Sequence, residues 1–306
     1  MIRLEGLSKA WPGAAAPAVA DITLEVPEGT SCALIGPSGS GKTTTLRLVN
    51  RLVEPSAGRV LIAGQDALRQ DPVQLRRHIG YVIQEGGLFP HRSVAENVAT
   101  VPRLLGWAEA RIQARVAEVL EMMGLPPGQF AARRPHQLSG GERQRVGVAR
   151  ALAGDPPVLL MDEPFGAVDP VRRRQLQDEV LKLLRQLRKT VLVVTHDVAE
   201  AMRLGDAVAV LRDGRLVQHA PPEALLAHPA NGFVAGFLGS DRALTRLGLF
   251  PAKAARGEAA AAGPPLPAEA TLRDALAEML ARGTRAVPLA GGGAVTLEAV
   301  LDLAAV

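Results

Sequence analysis

The sequence predicts an α/β fold in which a mainly parallel sheet carries a helical insertion and is followed by a small α/β appendage. Three observations lead there. Apolar runs at 31–36, 80–83, 158–161, 191–195 and 207–211 are short enough for strands and apolar enough to lie buried on both faces of a parallel sheet. Between the second and third of them, residues 93–153 place Ile112, Val116, Val119, Leu120 and Met123 at helical spacing. Beyond about residue 239 the composition turns rich in Ala, Gly and Pro before regular patterning resumes.

Composition narrows the classes further. With 306 residues, 47% hydrophobic and 22% charged, the chain can bury a sizeable core without cross-links, and its 31 glycines and 23 prolines stay below the share typical of a disordered or fibrous chain. The single cysteine, Cys32, excludes a disulfide framework or a cysteine-rich zinc site and reads as a small buried hydrophobe. No apolar run reaches the roughly 18 residues of a membrane span, and the opening MIRLEGLSKAW lacks the continuous apolar core of a signal peptide, so a soluble, cytoplasmic chain is expected. The net charge of +4 arises from a near-balanced 35 Lys and Arg against 31 Asp and Glu. Aromatics at 3% leave too few rings for a base-stacking surface, so nucleic acid is not an expected partner.

Taken in order, residues 29–61 read strand, turn, helix, strand, the opening of a βαβ unit: SCALIG is the apolar run, PSGSGK is turn chemistry and TTTLRLVNRL has helical periodicity. Residues 93–153 form a helical subdomain hung on the sheet. Residues 240–270, which include AKAARGEAAAAGPPLPAEA, read as a linker. In 271–306, Thr271 and Asp274 resemble a capping box, and Leu272, Ala275, Leu276, Met279 and Leu280 form one helical stripe. A strand candidate at 286–289 and a second helix from Thr296 complete this small unit.

Four motifs carry chemistry. Gly36, Pro37, Ser38, Gly39, Ser40, Gly41, Lys42 and Thr43, followed by Thr44, match G-x-x-x-x-G-K-[ST] directly after a strand and at the opening of a helix, the context this motif requires. The glycines let backbone N–H groups close around phosphate oxygens, Lys42 can reach β- and γ-phosphates, and Thr43 can offer its hydroxyl to Mg²⁺ where the helix dipole favours anions. A nucleotide with Mg²⁺ is implied; the plainer alternative is a glycine-rich turn that only joins strand to helix. Asp162 and Glu163 end the run VLLMDE, where one acid can hold Mg²⁺ and the other can orient and deprotonate water. Asp162 is the metal candidate and Glu163 the base, the alternative being an N-cap of the next helix. Gln84 and His196 also follow apolar strands, at the edge where open α/β sheets bind ligands. Finally, Ser139, Gly140, Gly141 and Glu142 open another helix with a Ser139–Glu142 capping box. Either this is only a helix start, or it is a second anion site; one chain needs no second grip on one nucleotide, so that grip would serve a partner chain.

In this order, GPSGSGKT, Gln84, LSGGERQR, LLMDEP, Ala167-Val168-Asp169 and His196, the sequence resembles the nucleotide-binding subunit of an ABC transporter over about 1–239. The resemblance implies a P-loop NTPase fold of ABC type, ATP and Mg²⁺ as cofactors, and a homodimer formed on ATP binding. In that family two chains sandwich two nucleotides head to tail, each between the phosphate loop of one chain and the Ser-Gly-Gly helix of the other. It also implies that Gln84 senses Mg²⁺ and couples to the membrane subunit, Asp169 communicates across the dimer and His196 contacts the γ-phosphate. Trp11 would stack on adenine, where many relatives carry Tyr; a tryptophan capping the core is the alternative.

Within that family, NRLVEPSAG, RRHIGYVIQEGGLFPHRSVAENVATVPRLLGW and MDEPFGAVDPVRR look like the ATPases of glycine betaine, carnitine and choline importers. The likeness implies an ATPase on the cytoplasmic face of the inner (plasma) membrane that drives import of quaternary ammonium osmoprotectants. Its partners would be two transmembrane permease subunits and an extracytoplasmic substrate-binding protein or domain. Such importers often end in a tandem of CBS regulatory repeats, and 271–306 has the helix, strand, glycine turn and helix of one shortened repeat. Two alternatives stay open: an importer ATPase for another solute, such as an amino acid or polyamine, and a soluble ABC ATPase outside transport. The second is disfavoured by the lack of a coiled-coil insertion, zinc cysteines or a second cassette.

Overall fold

Period-two burial marks the first strands. In β1 (Ile2–Lys9) and β2 (Val19–Val26), Ile2, Leu4, Ile22, Leu24 and Val26 turn inward, and the two strands pair antiparallel with Ile2 opposite Val26 and Leu4 opposite Leu24. β3 (Ser31–Ile35) is buried at every residue, as a strand covered on both faces must be. The computed structural model of the chain describes residues 1–84, 87–166 and 170–305 and falls into two units, Met1–His219 and Ala220–Val306.

After α1 (Lys42–Val49) the chain leaves the parallel sheet. β4 (Ala57–Ile62) pairs antiparallel with β1, Ile2 opposite Ile62, and with β5 (Gln65–Asp66) completes a separate sheet of order β2-β1-β4-β5. This corrects the βαβ reading of 29–61. The reason lies in β4 itself: Val60 and Ile62 are buried while Ala57, Gly58 and Arg59 are exposed, which suits a strand with one covered face. Gly58, at φ 77°, also lets the strands close up, since a Cβ there would stand 2.3 Å from the Gly6 carbonyl oxygen.

Asp71 caps α2 (Pro72–Arg77), which leads into β6 (Ile79–Val82). The following segment is helical: α3 (Val94–Val98), α4 (Thr100–Leu104), α5 (Glu109–Met122), α6 (Pro127–Phe130) and α7 (Gly140–Ala153). The stripe Ile112, Val116, Val119, Leu120 and Met123 is buried, and α5 packs on α7. The chain then alternates through β7 (Val158–Asp162), α8 (Pro170–Gln186), β8 (Thr190–Val194), α9 (Val198–Leu204) and β9 (Ala207–Arg212). A turn at Asp213 and Gly214, both with positive φ (50° and 77°), leads to β10 (Arg215–Ala220). The second sheet has order β10-β9-β3-β8-β7-β6, and the contacts β6/β7, β7/β8, β8/β3 and β3/β9 are all parallel. The five apolar runs therefore share one sheet, with their carboxyl ends along one edge. Cys32 lies within it, its thiol pushed up to about 12 by burial, a packing residue. No helix among the described residues is long and apolar enough to cross a membrane.

The second unit begins twenty residues before the expected boundary, and 240–270 is not bare linker. Helices α10 (Pro222–Ala227), α11 (Gly232–Leu238) and α12 (Arg242–Leu247) precede a short strand β11 (Arg256–Gly257). Leu247, Ala252, Ala255, Leu266 and Ala270 from the supposed linker join Leu272, Ala275, Met279, Val287, Val295 and Val300 in one core. Small apolar residues in an Ala-rich stretch can fill such a core, which composition alone conceals. The Thr271 capping box is present at the start of α13 (Leu272–Arg282), and β12 (Ala286–Pro288), β13 (Ala294–Thr296) and α14 (Leu297–Ala305) follow. Leu280 does not share the buried stripe. It is 75% exposed, because at 100° per residue it lies about 80° round the helix from Leu272.

The segment 89–93 ahead of α3 is gathered by a side chain of that helix. Asn97 is fully buried; its Oδ1 accepts the Phe89 N–H at 2.8 Å, and its Nδ2 donates to the carbonyls of Phe89, Arg92 and Ser93 at 3.2, 3.2 and 2.9 Å. Asn97→Ala is expected to lower unfolding free energy by about 2–3 kcal/mol in urea titration, since it strands several backbone groups at once. A loss under about 0.5 kcal/mol would show that this loop is held by other contacts.

Candidate functional site

The loop after β3 is shaped by close backbone approaches. A Cβ on Gly36 (φ 151°) would meet the Leu211 carbonyl oxygen at 2.2 Å, and one on Gly41 (φ 96°) would meet that of Ala18 at 2.4 Å. Gly41 is the N-cap of α1 and supplies no side-chain acceptor, so the first N–H groups of the helix are left for another acceptor. Lys42 curls back, its Nζ donating to the Gly36 and Pro37 carbonyls at 2.8 and 2.9 Å. Burial lowers the affinity of this amine for its proton, while the charges of Glu163 and Asp162 raise it. The Ser40 hydroxyl is buried in the loop without a hydrogen-bond partner. A buried polar atom left unpaired beside free helix N–H groups suits an anionic ligand with several oxygens.

The end of β7 faces this loop. Thr43 Oγ1 donates to Asp162 Oδ1 at 3.2 Å. Burial pushes the Asp162 carboxyl up, opposed by that hydrogen bond and by the charges of Arg47 and Lys42. Glu163 follows with its backbone in the left-handed region, φ 46°, a conformation that costs a non-glycine residue about 1 kcal/mol or more. Its N–H is tied to the Val194 carbonyl at 2.9 Å. Its Oε2 accepts from Gln84 Nε2 at 3.2 Å, and its Oε1 lies 3.2 Å from His196 Nδ1. Among the described residues no three His, Cys, Asp or Glu side chains could hold a metal by themselves. The Thr43 hydroxyl and the Asp162 carboxylate nonetheless form an all-oxygen pair that fits Mg²⁺ if phosphate and water complete its shell.

Arg47 and Tyr81 also belong to this neighbourhood. The charge of Arg47 favours the ionised forms of both Tyr81 and Asp162. The sequence reading missed both, although Arg47 lies four residues after Thr43 on one helix and so shares its face.

Ser139 and Glu142 form the expected capping box of α7: Ser139 Oγ accepts the Glu142 N–H at 3.3 Å, and Glu142 Oε2 accepts the Ser139 N–H at 2.7 Å. The second bond holds the Glu142 carboxyl below its usual range. No hydrogen bond or ion pair among the described residues joins 139–142 to 36–44. Trp11 is 46% exposed, with the Lys9 ammonium 4.6 Å from its ring centroid, so it does not cap the core. The structure thus gathers the 36–44 loop, Gln84, Asp162, Glu163 and His196, and leaves Trp11 and the Ser139 turn outside that hydrogen-bonded set. Asp169 lies outside the described residues.

Known proteins share these features. A family model described as ABC transporter matches residues 19–166. The osmoprotectant import ATP-binding protein OsmV of Salmonella typhimurium is 54% identical over 250 residues, 81% of this chain and 65% of that protein. The glycine betaine/carnitine/choline transport ATP-binding protein OpuCA of Bacillus subtilis is 49% identical over 79% of this chain and 63% of its own length. The glycine betaine uptake system ATP-binding protein YehX of Escherichia coli is 47% identical over 94% of each chain. This chain belongs to the ABC transporter ATP-binding family. The fold of this ABC protein agrees: the ATP-binding cassette MJ0796, solved as a dimer in a post-hydrolysis state bound to ADP and Pi, superposes with a TM-score of 0.65 at 34% identity, covering 72% of this chain and 98% of that one. The matches span less than two thirds of the length of the Salmonella and Bacillus proteins, 65% and 63%.

The capping role of Ser139 can be measured in this ABC chain by itself. Ser139→Ala is expected to cost about 0.5–2 kcal/mol in chemical denaturation, with the m-value unchanged. A stability equal to wild type would mean that water caps α7 equally well.

Proposed function

We propose that the chain is the ATP-hydrolysing subunit of an importer for quaternary ammonium osmoprotectants such as glycine betaine, choline and carnitine. The observation that carries this is the convergence, on one sheet edge, of the phosphate-type loop, the Thr43–Asp162 pair and a Glu163 carboxylate held between Gln84 and His196. The names of the relatives supply the solute class.

In this reading the N–H groups of 36–44 receive the phosphate oxygens, and Lys42 exchanges its two carbonyl partners for β- and γ-phosphate oxygens. Thr43, Asp162 and Gln84 hold Mg²⁺, which when bound offsets charge on those oxygens. Glu163 takes a proton from the attacking water. Its fixed backbone and two flanking side chains keep the carboxylate aimed, and His196 stands beside it to meet the γ-phosphate. Trp11, exposed on its loop, lies against adenine. The Ser139 turn and its two glycines, which no hydrogen bond among the described residues joins to the 36–44 loop of their own chain, complete the site of a second copy, and Asp169 communicates across that dimer. The dimeric state of the solved cassette supports that arrangement. Two permease subunits and an extracytoplasmic binding protein are the remaining partners, the chain sitting on the cytoplasmic face of the membrane. The unit ending at 271–306 is a partial CBS-like module.

Three experiments bear on this. Glu163→Gln is expected to keep ATP binding, lower turnover by about 100-fold or more, and elute as a dimer with ATP and Mg²⁺ in size-exclusion chromatography; wild-type turnover would remove Glu163 from the base role. Lys42→Ala is expected to lose ATP affinity by calorimetry, and unchanged affinity would count against the phosphate loop. Cells lacking the chain are expected to lose uptake of labelled betaine, choline or carnitine. Intact uptake of all three, with loss of an amino acid or polyamine instead, would reassign the solute.

A further inference from the structure

Helix α7 buries a charged side chain that the mechanism above does not use. Arg150 is 9% exposed and stands on a stretch where Val146, Val148, Ala149, Ala151 and Leu152 are buried too. Burial disfavours its charge, so a hydrocarbon side chain would fill the place at less cost. What the guanidinium adds is a directed hold on the main chain. Its Nη1 donates to the Gly87 carbonyl at 2.7 Å, the length of a charge-assisted bond. Arg143 and Arg145 of the same helix bond the Leu138 and Met123 carbonyls, both inside the helical segment. Arg150 instead reaches the chain that follows β6.

Two close approaches place this bond. Gly80 of β6 lacks a side chain where α7 comes nearest, since a Cβ there would stand 2.6 Å from the Ala151 carbonyl oxygen. The end of α7 is thus seated on β6 at Ala151 and grips the segment beyond β6 from the residue before. At Gly87, φ 48°, a Cβ would run into the Ile83 side chain, so Gly87 lies folded back against the residue that precedes Gln84. Gln84 is therefore bracketed in sequence by two positions that touch, the second of them held by Arg150. It stands three residues from Gly87, a tether of no more than about 11 Å. From there its Nε2 donates to Glu163 Oε2 at 3.2 Å.

We infer that Arg150 is a positioning residue for hydrolysis: by holding the Gly87 carbonyl it fixes the segment after β6, and so keeps Gln84 on the Glu163 carboxylate. The inference rests on the reading of Gln84 and Glu163 given above.

The test uses the full chain and ATP with Mg²⁺. Arg150→Met keeps an unbranched side chain in the same place and removes the donor. It is expected to lower kcat by at least about tenfold while KM for ATP stays within about threefold, because the 36–44 loop is untouched. Arg150→Lys keeps an ammonium that can donate to one carbonyl, and is expected to recover kcat to within about threefold of wild type. In single turnovers with excess enzyme and radiolabelled ATP, Arg150→Met is expected to slow a Gln84→Ala chain by less than about twofold further. Independent, additive losses overturn the inference, as does a wild-type kcat in Arg150→Met, a rise in KM that accounts for its whole defect, or a lysine variant as slow as the methionine one. Should Arg150→Met not fold, Arg150→Gln takes its place, being polar but two atoms too short to reach Gly87; a wild-type kcat there overturns the proposal. If Gln84→Ala hydrolyses ATP normally, the site reading of Gln84 fails and this inference with it. If Gln84→Ala is impaired and the Arg150 variants are not, the inference alone fails.

Discussion

The Glu163 carboxylate is gripped from both sides by residues that follow the two strands flanking its own. Gln84 comes after β6, His196 after β8, and β7 runs between them in parallel register, Met161 opposite both Val82 and Val193. Neighbouring strands lie about 4.8 Å apart, so side chains leaving the carboxyl ends of three adjacent strands reach one another without any long loop. β3 lies next to β8 and delivers the glycine loop to the same edge. Strand order therefore assembles the site, and a change of neighbour in the sheet would scatter it.

What the sequence disclosed and what it hid divide along the distance over which each feature is determined. The 36–44 loop, the acids ending β7 and the capping boxes at Ser139 and Thr271 are settled within a few residues, and all were legible. The Ser139 turn needed no tertiary contact to be recognised, because both of its bonds close inside it. The partner of β4 was not legible in the same way. An apolar run following a helix reads as the next parallel strand, whereas its one-faced burial against β1 is decided by residues some sixty positions away. Leu280 misled for a related reason: helical periodicity gives a stripe, but how wide a stripe is covered depends on neighbouring elements.

The second unit shows the limit of compositional reading. Alanine-rich stretches read as linkers, yet Ala252, Ala255 and Ala270 pack beside Leu247 and Leu266. Arg246, 5% exposed, donates to the Leu303 carbonyl at 3.1 Å and reaches Glu223 at 3.5 Å, tying α10 and α14 to α12. Such a core is made of small contacts spread along the chain, and no short motif announces it.

The self-satisfied Lys42 bears on how quickly the site can be filled. An ammonium already withdrawn from bulk water and parked on two carbonyls of its own loop keeps that loop in shape before any nucleotide arrives. An arriving phosphate meets a finished mould and trades places with neutral oxygens, so little ordering entropy is spent at the moment of capture. Such a loop favours repeated loading and emptying over tight retention, the behaviour of a part that must cycle.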